Sequence, residues 1–77
     1  MIGNPIFTGG TDTLGRKVFE FPITEAADKD DLPTMTDPGD FEVCAATSMA
    51  YTADFTIGFS LGADNVWTQF AGGEEEG

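Results

Sequence analysis

Residues 41–61 read FEVCAATSMAYTADFTIGFSL, and their reading decides the fold. Two alternations of period two run through them. In 41–51, Phe41, Val43, Ala45, Thr47, Met49 and Tyr51 share one face, while Glu42, Cys44, Ala46, Ser48 and Ala50 share a second that is mostly small. In 52–61, Phe55, Ile57, Phe59 and Leu61 point one way, and Asp54, Thr56, Gly58 and Ser60 the other. Side chains that alternate between two faces belong to strands, not helices, so both segments are expected as strands. A face made of small residues suits the close approach of another layer.

Working outward, the segment before this pair, RKVFEFPI (16–23), sets Phe19, Phe21 and Ile23 on one face and Val18 and Glu20 on the other. Pro22 cannot donate to a ladder, which makes this an edge strand or a strand end. After the pair, GADN (62–65) reads as a turn and VWTQF (66–70) as a last strand, with Val66, Thr68 and Phe70 opposing Trp67 and Gln69. Between 23 and 41 lie TEAADKDD (24–31), enough for a short helix with Thr24 as its N-cap, and LPTMTDPGD (32–40), a loop with a strong Asp-Pro-Gly-Asp turn signal. The expected fold is therefore all-β: a small antiparallel β-sandwich or open barrel of about four to five strands, forming one domain over 16–71. Open sheets have edges, and edges invite pairing with another chain.

The termini read differently. MIGNPIFTGGTDTLG (1–15) has four glycines, no period, and Ile2, Ile6 and Phe7 close together. It is expected either as a flexible tail or as an extended N-terminal arm that orders on a partner. Residues 72–77, GGEEEG, hold three consecutive glutamates and are expected as a disordered acidic tail.

Composition narrows function. The 77 residues contain no histidine and one cysteine, Cys44. A disulfide within the chain is excluded, a structural zinc site is implausible, and Ser-His-Asp or Cys-His catalysis lacks its base. GGTDTLGRK lacks the spacing of a phosphate-binding loop. No enzyme activity and no cofactor are expected. Cys44 lies among small apolar residues and reads as a buried hydrophobe. The net charge of −11 comes from fourteen acidic and three basic residues. It disfavours nucleic acid and anionic membranes as partners. No basic, apolar leader and no stretch of spanning length is visible, so synthesis as a soluble cytoplasmic protein is expected.

Much of that charge sits in DKDDLPTMTDPGD (28–40), which holds five aspartates. As an EF-hand loop it fails, because the fifth, sixth and twelfth positions are Leu32, Pro33 and Gly39. An irregular calcium site from Asp37, Asp40 and Glu42, a solvated loop and a docking surface for a basic partner remain open. Trp67 has two readings as well: a core residue, or an interface anchor of the kind tryptophan often provides. The candidate interface residues are Ile2, Ile6, Phe7, Asp37, Asp40 and Trp67.

A short acidic chain with few lysines, an apolar glycine-rich N-terminal arm, a β core and no catalytic inventory is similar in general character to the small capsid decoration, or cement, proteins of tailed-phage virions. That resemblance implies a non-enzymatic structural protein on the capsid exterior. It would be a homo-oligomer, such as a trimer, bound to the major capsid protein and bridging neighbouring subunits. The alternative is an acidic soluble inhibitor that mimics DNA, against which the gathering of charge in one loop and the tail counts. A salty habitat would also explain the acidity, and it predicts stability that rises with salt.

Overall fold

The computed structural model describes residues 1–72 of the chain. Five strands, Ile6–Thr11 (β1), Lys17–Ile23 (β2), Met49–Thr52 (β3), Gly58–Leu61 (β4) and Trp67–Ala71 (β5), lie in one sheet in the order β1-β2-β3-β4-β5. The β class expected from the alternations holds. The all-antiparallel pairing does not: β2 and β3 run parallel, while the other neighbouring pairs are antiparallel. A parallel pair needs a long crossover, and the connection 24–48 supplies it. The sheet is open, with β1 and β5 as its edges, and the described residues form no second sheet.

The expected strand over 41–51 is shorter than its alternation. Cys44 and Ala45 are buried in succession, and Thr47 adopts a left-handed backbone with φ 75°. Residue 44 still bridges Lys17 in parallel, and the Ala45 amide donates to the Lys17 carbonyl at 2.8 Å. The chain then turns out of the sheet and returns at Met49. Ser48 closes the gap: its fully buried Oγ accepts from the Phe19 amide at 3.1 Å and donates to the Ala45 carbonyl at 2.8 Å.

Residues 53–57 form the turn between β3 and β4, so the segment 52–61 is half turn and half strand. β2 keeps its predicted alternation, with Phe19, Phe21 and Ile23 buried. It is an interior strand, with Pro22 close to its end. The N-terminal segment expected as a tail or arm is paired within the chain through Ile6–Thr11, as β1. Gly9, at φ 98°, sits where the β1–β2 register shifts between Phe7 and Thr11. Apart from Gly72, the expected acidic tail lies outside the described residues.

One sheet face carries the core: Phe19, Phe21, Ile23, Ala50, Phe59, Leu61 and Trp67 are all buried. Its cover comes from the crossover, through Leu32 and Cys44, with Met35 and Phe41 packed alongside. The cover is tied down by polar bonds. The Trp67 Nε1–H donates to the Pro33 carbonyl at 2.8 Å, and the Asn65 Oδ1 accepts from the Met35 amide at 2.7 Å. The short helix is 3-10 and spans Ala26–Asp31. Asp28, not Thr24, organises its start, accepting from the Thr24 and Glu25 amides at 3.0 and 3.3 Å.

Candidate interaction surface

The second sheet face has a different composition. The register aligns Ile6, Glu20, Met49, Ser60 and Thr68 across all five strands. A second row runs Pro22, Tyr51 and Gly58. The interior side chains of these rows are half-buried by one another, whereas Ile6 and Phe70 are 54% exposed. Among strand residues this face carries one charged group, Glu20. The Tyr51 hydroxyl donates to that carboxylate at 2.6 Å, and this bond, with burial, pushes the Tyr51 phenol above its ordinary pKa.

Two aromatics give the face its relief. Phe70 is the extra residue where β5 slips against β4, and its ring lies over Gly58. A Cβ at Gly58 would come within 2.6 Å of that ring, so the glycine makes room for the aromatic. Phe55 stands at the tip of the β3–β4 turn, 70% exposed, with its ring 5.3 Å from that of Tyr51. Its φ is 61°. A bulky residue in the left-handed region costs about 1–2 kcal/mol, and turns usually give such positions to glycine or asparagine.

The predicted interface residues do not converge on one patch. Ile6 lies on the open face. Phe7, 48% exposed, is on the core side of the edge, 6.1 Å from the Phe19 ring and with the Lys17 ammonium 5.5 Å from its centroid. Ile2 packs against the core and lines a shallow cleft with Asp40 and Phe41. Asp37 is exposed in the crossover, where its Oδ1 accepts from the Gly39 amide at 3.0 Å. Trp67 is 7% exposed, and its indole is satisfied inside the chain, so its surface is spent on the core. Sequence reasoning missed Phe55, Tyr51 and Phe70. The available signal was a phenylalanine at the centre of TADFTI, a turn that would ordinarily be polar.

Among the described residues, no group of three or more His, Cys, Asp or Glu side chains is placed to hold a metal ion. The carboxylates have other work. Asp28 is 4% exposed, and the Met1 amine approaches its two oxygens at 2.6 and 2.7 Å. That bond, together with those from the Thr24 and Glu25 amides, holds the carboxyl below its ordinary value of 3.8 against the opposing effect of burial. Asp54 is lowered too, first by the Thr52 hydroxyl and then by Thr56. Burial pushes the Cys44 thiol up, so it remains a protonated hydrophobe at neutral pH.

A carboxyl whose pKa is lower in the folded state stabilises the fold above its unfolded pKa, and that contribution is lost as pH falls through the folded value. Asp28→Ala is therefore expected to cost about 1–2 kcal/mol at pH 7, the size of losing hydrogen bonds to a charged group whose ammonium partner is solvated. The gap between wild type and variant should close as pH drops below 3.8. Urea unfolding midpoints of both proteins across that range check this, and a gap that stays constant would refute it.

Compared with known proteins, the chain matches no family model, no curated protein and no solved structure.

Proposed function

We propose that the chain is a non-enzymatic structural protein that acts as a homo-oligomer on the surface of a larger protein assembly, as the phage capsid decoration proteins it resembles do. Its place is then the outside of a virion and its partner the major capsid protein. The observation that carries this reading is a distribution of charge. A chain of net charge −11 keeps one whole sheet face down to a single carboxylate, Glu20. An acidic chain has every reason to cover a solvent-facing surface with carboxylates, and an apolar face with exposed aromatics marks a surface meant for contact. Many modest contacts of this kind, repeated across a lattice, add through avidity. The β-sandwich and the docking arm belong to this reading. The sandwich forms when the open face meets a second layer, and the N-terminal segment with β1 supplies the outer edge that reaches a neighbour.

Size-exclusion chromatography with light scattering, at low and high salt and with and without EDTA, tests it. The expected result is a closed oligomer indifferent to EDTA and strengthened by salt, because screening weakens repulsion between like-charged copies. A folded monomer under all conditions would overturn the reading. The inhibitor alternative would then be tested by competition with duplex DNA for a basic enzyme.

A further inference from the structure

We infer that the α-amine of Met1 is a latch. Its ammonium, seated on Asp28 and Thr24, holds residues 1–5 as a strap across the end of β2, and an amide at that nitrogen, whether from an acyl group or from a further residue, releases the strap. The inference goes beyond the oligomer reading and does not depend on it.

The seat matches an ammonium donor for donor. A primary ammonium carries three N–H groups. Three acceptors converge on the Met1 nitrogen: the Asp28 Oδ1 at 2.6 Å, the Asp28 Oδ2 at 2.7 Å and the Thr24 Oγ1 at 2.9 Å. The Glu25 carboxylate stands further off, at 4.0 Å. The chain also fixes the receptor by bonds that do not involve the amine. The Asp28 Oδ2 accepts from the Thr24 and Glu25 amides and, at 3.3 Å, from the Thr24 hydroxyl. A receptor set in place beforehand loses little freedom when its ligand arrives.

An amide nitrogen cannot take this seat. It is uncharged and has one N–H, so two of the three acceptors lose their donor. Asp28, 4% exposed, also loses its counter-charge, and a buried polar group left unpaired is costly.

The strap depends on the seat. Among the described residues its main other holds are the Gly3 amide, which donates to the Pro22 carbonyl at 2.8 Å, and the packing of Ile2 against the core. The β1–β2 register begins only at Ile6 and Glu20. Met1 and Ile2 also wall the cleft that contains Asp31, Asp40 and Phe41. Release therefore frees Ile2 and uncovers the half-buried Phe41, an apolar contact that the latched chain withholds.

Hydrogen exchange on the full chain, made by chemical synthesis, tests the latch. Three forms are compared: a free Met1 amine, an acetylated one, and one glycine placed ahead of Met1. Protection of the Gly3 amide, relative to an unfolded peptide with the same end group, reports the strap. The Leu61 amide, bonded to the Ser48 carbonyl at 2.9 Å, reports the sheet. Acetylation is expected to cut Gly3 protection at least about fivefold and Leu61 protection about twofold or less. The glycine-extended chain should behave as the acetylated one, because its ammonium is displaced by about 3.8 Å. In an Asp28→Asn chain, acetylation should change Gly3 protection by about twofold or less, since the charge that the amine answers is gone.

This pattern supports the latch. Unchanged Gly3 protection on acetylation overturns it, as does an equal loss at Gly3 and Leu61, which would make the strap part of the global fold. A glycine-extended chain as protected as the free one overturns it too, because charge alone would then suffice without the three-point seat. So does an Asp28→Asn chain that responds to acetylation as wild type does.

Discussion

The Phe21→Ala variant is expected to lose about 3–5 kcal/mol of stability, the range for removing a buried phenylalanine, and to populate the unfolded state at room temperature. Phe21 is fully buried, and three rings converge on it: Phe19 at 5.7 Å, Phe41 at 5.9 Å and Trp67 at 6.1 Å. Its partner across the parallel pair is Ala50, too small to move into the space. The cover above it is crossover, held by a few polar bonds and not by a ladder, so it has little to brace it once the ring is gone. A domain of this length holds about 4–12 kcal/mol in total, and the loss is a large part of that. Trp67 is the chain's one tryptophan, and its buried indole reports the core directly. Urea unfolding followed by its fluorescence measures the cost. A loss under about 1.5 kcal/mol would mean that the core is not centred on Phe21.

That centre was legible in the sequence, because β2 alternates strongly: phenylalanine and isoleucine against valine, glutamate and proline. The same rule misled over 44–48, where alanine, cysteine, threonine and serine alternate with almost no contrast. Small residues can face either way, so the period there carried little information. What interrupts the strand is the backbone of Thr47 and the hydroxyl of Ser48, and the latter depends on an amide far away in sequence. β1 was hidden for the opposite reason. Gly9 and Gly10 have no side chains to alternate, and the register slip beside them erases the period.

The direction of β3 had one usable sign, the length of the connection 24–48, which is long for a hairpin and suits a crossover. Of the candidate surface, only Ile6 was picked out. Its other members came from residues read as strand interior, and burial of one face cannot be told from burial of both when period alone is read.

Ser48→Ala is the substitution expected to expose this hidden dependence, at a cost of about 1–3 kcal/mol for one buried donor left unpaired. The Ala45 carbonyl survives the change, because the Ser48 amide also donates to it, at 3.3 Å. The Phe19 amide does not, because it donates to the hydroxyl. It lies between the bridge at Lys17 and Cys44 and the ladder that resumes at Glu20 and Met49, in the stretch where the partner strand has turned away. Water cannot easily repair the loss, since both Ser48 and Phe19 are buried. Ser60→Ala is the matched control, a half-buried serine on the open face of β4, and should change stability by about 0.5 kcal/mol or less. Denaturant unfolding of the two variants, with hydrogen exchange at the Phe19 amide, separates the cases. If Ser48→Ala costs no more than Ser60→Ala, the amide has found another acceptor and the parallel pair does not depend on the serine. If it costs the expected amount and exchange at Phe19 quickens, a single hydroxyl carries the β2–β3 pairing across the gap between Cys44 and Met49, and the crossover that covers the core is anchored by it.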